Sequence, residues 1–196
     1  FSYSIFNPDS PANTDSFWQD TSSSLLTALI LAHVDDCLRE HEEEKINMYS
    51  IINTFTELAT ITNEKNPNVT ALDSYFAQRP ALDRAKMKYA GIQVTGDRTK
   101  GSIFASMLTK LTIFTFENIA KMTAKSSVQL ENIGFSEKPM AIFLGIPDYD
   151  KSTHFLATVF IRQLTFVLEK KATRSKTGKC DRPVKFICDE FGNLPA

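Results

Sequence analysis

Several things are missing from this sequence, and each absence narrows its function. It has no cysteine framework: Cys37, Cys180 and Cys188 are an odd number at unrelated spacings. That pattern suits a reducing compartment, and no disulfide is expected. It has no long apolar run. The longest, residues 25–32, falls far short of the roughly 20 residues that cross a bilayer. It has no excess of positive charge, with 22 Lys and Arg against 23 Asp and Glu and a net charge of −1. A protein that coats DNA generally shows a basic face, so that class is disfavoured, although a local basic patch stays open. No Ser-His-Asp or Cys-His arrangement can be supported, and no repeat or low-complexity tract is present.

A complete phosphate-binding loop is also absent. Such a loop needs G-x-x-x-x-G-K-[ST], so that backbone amides cradle phosphates and the Lys reaches them. Residues 96–102, G-D-R-T-K-G-S, place Ser102 where that Lys should stand. They read instead as a turn between helices whose glycines permit unusual backbone angles. Thr177-Gly178-Lys179 is equally incomplete. The sequence opens at Phe1 without an initiating Met, and no signal peptide is expected. The expected reading is a piece of a larger protein.

What is present is mostly helical. With 42% hydrophobic residues and fifteen Phe, the chain can build a real core. Residues 1–10 read as extended chain and turns. Asp15 is a candidate N-cap for one long helix from Phe17 to about Glu44, apolar around Leu25, Leu26, Leu29, Ile30 and Val34. Asn47 caps a second helix whose face is Met48, Ile51, Ile52, Phe55, Leu58 and Ala59. Residues 63–68 are expected to be a loop and residues 70–78 a short helix. Pro80 suits the first turn of another helix, with Leu82, Ala85, Tyr89 and Ile92 as its buried stripe. A further helix spans about 99–124. No strand is expected up to this point.

The character changes after Gly134. Residues 139–146 form an unbroken apolar run ended by Pro147-Asp148. Ser152 or Thr153 opens an amphipathic helix through Leu168, a basic stretch follows, and residues 184–188 form a second apolar run. Two apolar strands around one helix predict a parallel β-α-β unit. The fold class expected is therefore mainly α: an all-helical domain at 1–135, then a partial RecA-like α/β segment at 136–196.

The second apolar run ends in Asp189 and Glu190. Carboxylates at the carboxyl end of a strand in an open α/β sheet lie where ligands bind. Nucleotide motors need such a pair, one to hold Mg²⁺ and one to orient or deprotonate the attacking water. A polar strand exit is the plain alternative. Other candidates are weaker. Asp148 and Asp150 follow the first run and read as turn formers. Lys170, Lys171, Arg174, Lys176 and Lys179 read as a solvated basic loop, with phosphate contact as the alternative. His33, Cys37 and His41 stand at i, i+4 and i+8, but the outer two are about 12 Å apart along a helix, too far for one metal ion. No metal is expected in this chain.

Three phrases carry a resemblance: K-P-M-A-I-F-L-G-I-P-D-Y-D, F-I-R-Q-L and F-I-C-D-E-F-G-N-L-P, all within residues 138–195. They resemble the coupling proteins of conjugation and type IV secretion, the TraG/TraD-type ATPases. D-E-F-G-N-L-P resembles that family's Walker B segment. The early phrase F-W-Q-D-T-S-S-S-L-L-T-A-L-I is similar to the start of the family's all-helical domain, which is inserted between Walker A and Walker B. Residues 40–95 match only in helical character.

The resemblance implies a membrane-anchored homohexameric ATPase at the cytoplasmic face of the cell membrane, using ATP and Mg²⁺ to drive DNA transfer. Glu190 is then the catalytic carboxylate and Asp189 the Mg²⁺-associated one. The helical domain implies partners: a relaxase or relaxosome proteins, with DNA as a further candidate, and components of the secretion channel. This chain by itself is expected to hold no nucleotide, to hydrolyse no ATP and to make no membrane contact. Two alternatives stand beside it: another hexameric RecA-like translocase, or a non-enzymatic helical adaptor.

Overall fold

The computed structural model describes residues 1–6, 16–60, 62–63, 66–147 and 153–189. The chain divides into two compact units, Ser2–Lys125 and Ser126–Ala196.

The first unit is built on helices. α1 (Ser2–Phe6) packs against α2 (Ser16–Glu40). This corrects the reading of the first residues as extended: Ile5 and Phe6 are buried, and that burial outweighs weak local propensity. Asp15 lies outside the described residues. α2 is the central helix, with Leu25, Leu26, Ala28, Leu29 and Ala32 buried. It ends at Glu40, and His41 takes a positive φ of 59°. A 3-10 turn at Glu43–Lys45 then leads to α3 (Met48–Thr60). Asn47 caps α3 as expected, its Oδ1 accepting the Ser50 N–H at 2.9 Å.

A hairpin follows where a loop was expected. β1 (Thr62–Asn63) pairs antiparallel with β2 (Asn66–Thr70), with Thr62 opposite Thr70 and Asn63 opposite Asn66. Its composition is that of a turn, and pairing here rests on backbone hydrogen bonds that need no apolar pattern.

α4 (Ala71–Ala77) and α5 (Arg84–Gln93) come next. α5 begins four residues beyond Pro80, because Asp83 is its cap, accepting the Lys86 N–H at 2.8 Å. Leu82 therefore precedes the helix and is 88% exposed rather than buried. Ala85, Tyr89 and Ile92 do face inward, and α2 packs extensively against α5. The helix expected over 99–124 is three elements: α6 (Asp97–Leu111), a 3-10 turn (Thr112–Thr115) and α7 (Glu117–Thr123). Thr and Ile at 112 and 113 are β-branched and poor at continuing a helix. Phe114 is buried in that turn.

The second unit contains a 3-10 turn at Leu130–Asn132 and α8 (His154–Arg174). Its core is Ile133, Leu164 and Leu168, with Leu130, Phe135, Phe160, Cys180 and Val184 packed around them. The expected parallel strand pair is not present. Residues 139–147 and 183–188 carry no strand, and the hairpin above is the only sheet among the described residues. Phe143 is 94% exposed and Ile187 93%. An apolar strand is stable when both its faces are covered inside a sheet, and no described strand flanks either run.

No helix of the described residues is long and apolar enough to cross a membrane.

Candidate functional sites

The segment leading to the paired carboxylates is held at its base. Arg182 donates its backbone N–H to the Gly134 carbonyl at 2.9 Å. Its guanidinium reaches the Ser136 carbonyl at 3.0 Å and also the Glu137 carbonyl. Gly134 sits at φ +75°, and a Cβ there would lie 2.8 Å from Val184 Cγ2 and 3.3 Å from Cys180 Cβ. Only glycine meets both demands without a shift. From Val184 onward the chain runs out to Asp189, which is exposed in a turn. Glu190 lies outside the described residues, as do Asp148 and Asp150.

An exposed carboxylate is the hard oxygen donor that Mg²⁺ takes through water. The phosphate-cradling half of a nucleotide site has no counterpart in this sequence. Gly96 is the N-cap of α6. Lys100, the lysine nearest to a phosphate-loop position, is buried and paired with Asp73 at 3.1 Å. Gly178, at φ +67°, makes a turn in which Ser175 Oγ donates to the Lys179 carbonyl at 2.9 Å.

In the first unit, polar groups gather in two clusters whose pairings the sequence does not disclose. In the first, Asp73 on α4 is buried. It closes a capping box with Thr70, accepts Tyr89 Oη at 2.9 Å and receives Lys100 Nζ at 3.1 and 3.2 Å. Burial pushes its carboxyl upward. Hydrogen bonds from the Thr70 backbone, Tyr89, Lys100 and the Thr70 hydroxyl outweigh that, so its pKa lies below the usual carboxylate value. Burial and the Asp73 charge drive the Tyr89 hydroxyl strongly upward. Asp73 and Lys100, with Ser74, Gln93, Thr95 and Asp97, line a shallow cleft of about 320 Å³. The pattern T-x-x-D at 70–73 is a capping-box signature readable in the sequence. Its pairing with Lys100, 27 positions on, is not.

Arg79 is the hub of the second cluster. It pairs with Asp36 of α2 at 2.5 Å and with Asp83 at 3.2 Å. It also donates to the Ala32 carbonyl and to Tyr75 Oη, each at 2.9 Å. Tyr75 Oη in turn donates to Asp36. Burial, then the bond to Asp36, pushes the Tyr75 hydroxyl up to about 12. Lys86 Nζ closes the end of α4, at 2.8 Å from the Ala77 and Arg79 carbonyls. All of these groups hold helices together; none is presented as a nucleophile.

The remaining candidates resolve as structure. His33 Nε2 lies 2.9 Å from the Lys45 carbonyl and 3.5 Å from Cys37 Sγ, while His41 is exposed. No metal-holding cluster occurs among the described residues. In the basic stretch, Lys171 Nζ bonds the Glu131 carbonyl at 2.5 Å and sits 4.5 Å over the Phe135 ring. Lys176 and Lys179 are exposed.

No curated protein matches this chain, and no solved structure does. A family model described as type IV secretory system conjugative DNA transfer matches residues 3–195, and over that span, nearly its whole length, the chain belongs to that family.

Proposed function

We propose that, within the conjugative DNA transfer its family serves, this chain supplies two parts of an ATP-driven coupling protein: the substrate-recognising helical domain and the Walker B segment of the motor. One observation carries the second part: the exposed Asp189 with Glu190 behind it, at the end of an apolar run, in a chain of this family. Asp189 is the Mg²⁺-associated carboxylate and Glu190 the group that orients and deprotonates the attacking water. Bound Mg²⁺-ATP supplies the phosphoryl group and a charge-neutralising cation. The phosphate loop that completes this site comes from sequence outside these 196 residues, so the chain by itself does not turn over ATP.

In this reading residues 139–146 and 184–188 are parallel strands of a RecA-like sheet in the complete motor. Their exposed Met140, Phe143, Phe186 and Ile187 are the surface such a sheet buries. The parent is a homohexamer anchored at the cytoplasmic face of the membrane, and it delivers DNA with its relaxase to the secretion channel. The helical unit selects the cargo, because a motor's nucleotide strands are generic.

The test uses a longer version of the protein that includes a phosphate loop. Glu190→Gln retains nucleotide binding and loses most hydrolysis, while Asp189→Ala weakens Mg²⁺-dependent binding. Unchanged hydrolysis in both variants overturns the Walker B reading.

A further inference from the structure

We infer that the outer face of α5 is a docking surface for an acidic amphipathic segment of a transferred protein. This inference rests on the proposed cargo-selecting role of the helical unit and assigns that role to one face.

The face follows from helix geometry. Arg84, Met87, Lys88, Gly91 and Val94 fall within an arc of about 120° at the 100° per residue of an α-helix. All five are exposed, on the side opposite the buried Ala85, Tyr89 and Ile92. Met87 is 63% exposed and Val94 84%, with Leu82 at 88% just before the helix. Two large apolar side chains on one short face, with a third just before it in sequence, exceed the scattered single exposures that are ordinary on a surface.

The charge on this face is of one sign. α5 carries Arg84, Lys86 and Lys88 and no acid. Lys86 is spent on the end of α4. The Arg84 and Lys88 side chains have no hydrogen bond or ion pair among the described residues, whereas Arg79 just upstream pairs with Asp36, Asp83 and the Ala32 carbonyl. Gly91 lies on the same arc, about one turn beyond Met87 and Lys88, and a Cβ built there meets nothing within 4 Å. The backbone is thus open to close approach in the middle of the face.

These features select the partner's chemistry. Two free cations call for carboxylates or phosphates. The interleaved Met87 and Val94 gain from burial against apolar atoms, at about 25 cal/mol per Å². A DNA backbone offers phosphates and no such surface. A helix with acids on one edge and apolar residues on the other offers both, through the helix-in-groove mode of recognition. The same face on a second copy of the chain lacks the acids.

The experiment titrates the 196-residue chain against labelled, purified relaxase of the same transfer system and against a labelled duplex oligonucleotide. Three variants are used: R84E/K88E, M87S/V94S and G91Y, which blocks the face sterically at a position with open space around it. E43K/E44K, at exposed acids remote in sequence, is the control, and circular dichroism verifies that every variant is folded. Each face variant is expected to weaken relaxase binding about tenfold or more, with the control and DNA binding unchanged. Hydrogen-exchange protection on the relaxase should fall on an acidic amphipathic segment.

Relaxase binding by wild type that all three variants retain within about twofold overturns this inference and leaves the proposed function standing. Absence of relaxase binding by wild type overturns both. Loss of DNA binding in R84E/K88E, with M87S/V94S unaffected, makes the face a nucleic-acid surface instead. Self-association in sedimentation that the face variants abolish assigns it to a second copy. Protection of a basic or uncharged relaxase segment also overturns the inference.

Discussion

Lys100 of α6 and Asp73 of α4 form an ion pair at 3.1 Å, with both side chains more than nine-tenths buried. The carboxylate is fully hydrogen-bonded, because Tyr89 and Thr70 occupy its remaining positions. Tyr89 is itself stacked on Phe76, ring centroids 4.2 Å apart. The pair therefore ties α4, α5 and α6 to one point. Breaking a buried pair from one side leaves an uncompensated charge and costs about 3–5 kcal/mol. Lys100→Met is expected to lower the unfolding free energy obtained from urea titration by that amount. The double variant Lys100→Met/Asp73→Asn should recover part of the loss, because no charge is then stranded. Equal destabilisation in both would show that packing, and not charge, dominates at this point.

The two polar clusters of the first unit set a pH dependence with two limbs. Asp73 and Asp83 both have carboxyl pKa values below the unfolded value. For Asp83, hydrogen bonding by the Lys86 N–H and the nearby Arg79 charge outweigh the upward push of burial. On the acid side the unfolded chain binds more protons than the folded one. Stability is therefore complete above about pH 4 and falls as pH drops through the folded values. Tyr75 is shifted the other way, up to about 12. Its contribution is whole below about pH 10 and fades as pH rises toward 12, where the folded chain retains a proton the unfolded one has lost. Thermal melts across both ranges test this. Tyr89, driven further upward by burial and the Asp73 charge, adds to the same limb, so Tyr75→Phe should remove only its own share and leave the acid limb unchanged.

How far the sequence discloses this architecture depends on the range of the interaction. The buried faces of α2 and α3 are legible, because Leu25, Leu29, Ile51, Ile52 and Phe55 recur at helical spacing and are buried. Caps at Asn47 and Thr70 are legible because they act within three residues. Arg79 and Lys100 are not. Both read as surface charges, and their partners Asp36 and Asp73 are distant in sequence. The β1–β2 hairpin is hidden because its pairing is backbone to backbone. The apolar runs at 139–146 and 184–188 mislead for the opposite reason: their pattern predicts strands, but a strand needs neighbours, and none is described beside them. At the candidate site the D-E phrase is plain in sequence, because it needs no partner from elsewhere in the chain to be read.

Gly134 yields a prediction confined to the second unit. It combines a left-handed φ with a 2.8 Å approach to Val184. Alanine there must strain the backbone and displace Val184 from the cluster around Ile133, Leu164 and Leu168. A cost of about 1–3 kcal/mol is expected from the backbone alone. Hydrogen exchange should show faster opening in α8 and residues 180–184, with α2–α6 unchanged. Unaltered exchange in α8 would show that the 134–184 contact contributes little.

The two exposed apolar runs separate a local cost from an assembly cost. Phe143 and Ile187 are each more than nine-tenths exposed, so replacing either by serine removes almost no buried surface from this chain. In the 196-residue protein Phe143→Ser and Ile187→Ser should each change stability by no more than about 0.5 kcal/mol. In a longer protein carrying the phosphate loop the same changes place a hydroxyl inside the proposed sheet. A buried polar group without a partner costs about 1–3 kcal/mol, and strands that carry Asp189 and Glu190 must hold them in register. ATP turnover should then fall about tenfold or more, as expected when catalytic groups lose their positioning. The two measurements must diverge. Normal turnover in both serine variants would mean that these runs are not strands of the motor, and the RecA-like reading of residues 136–196 would be abandoned.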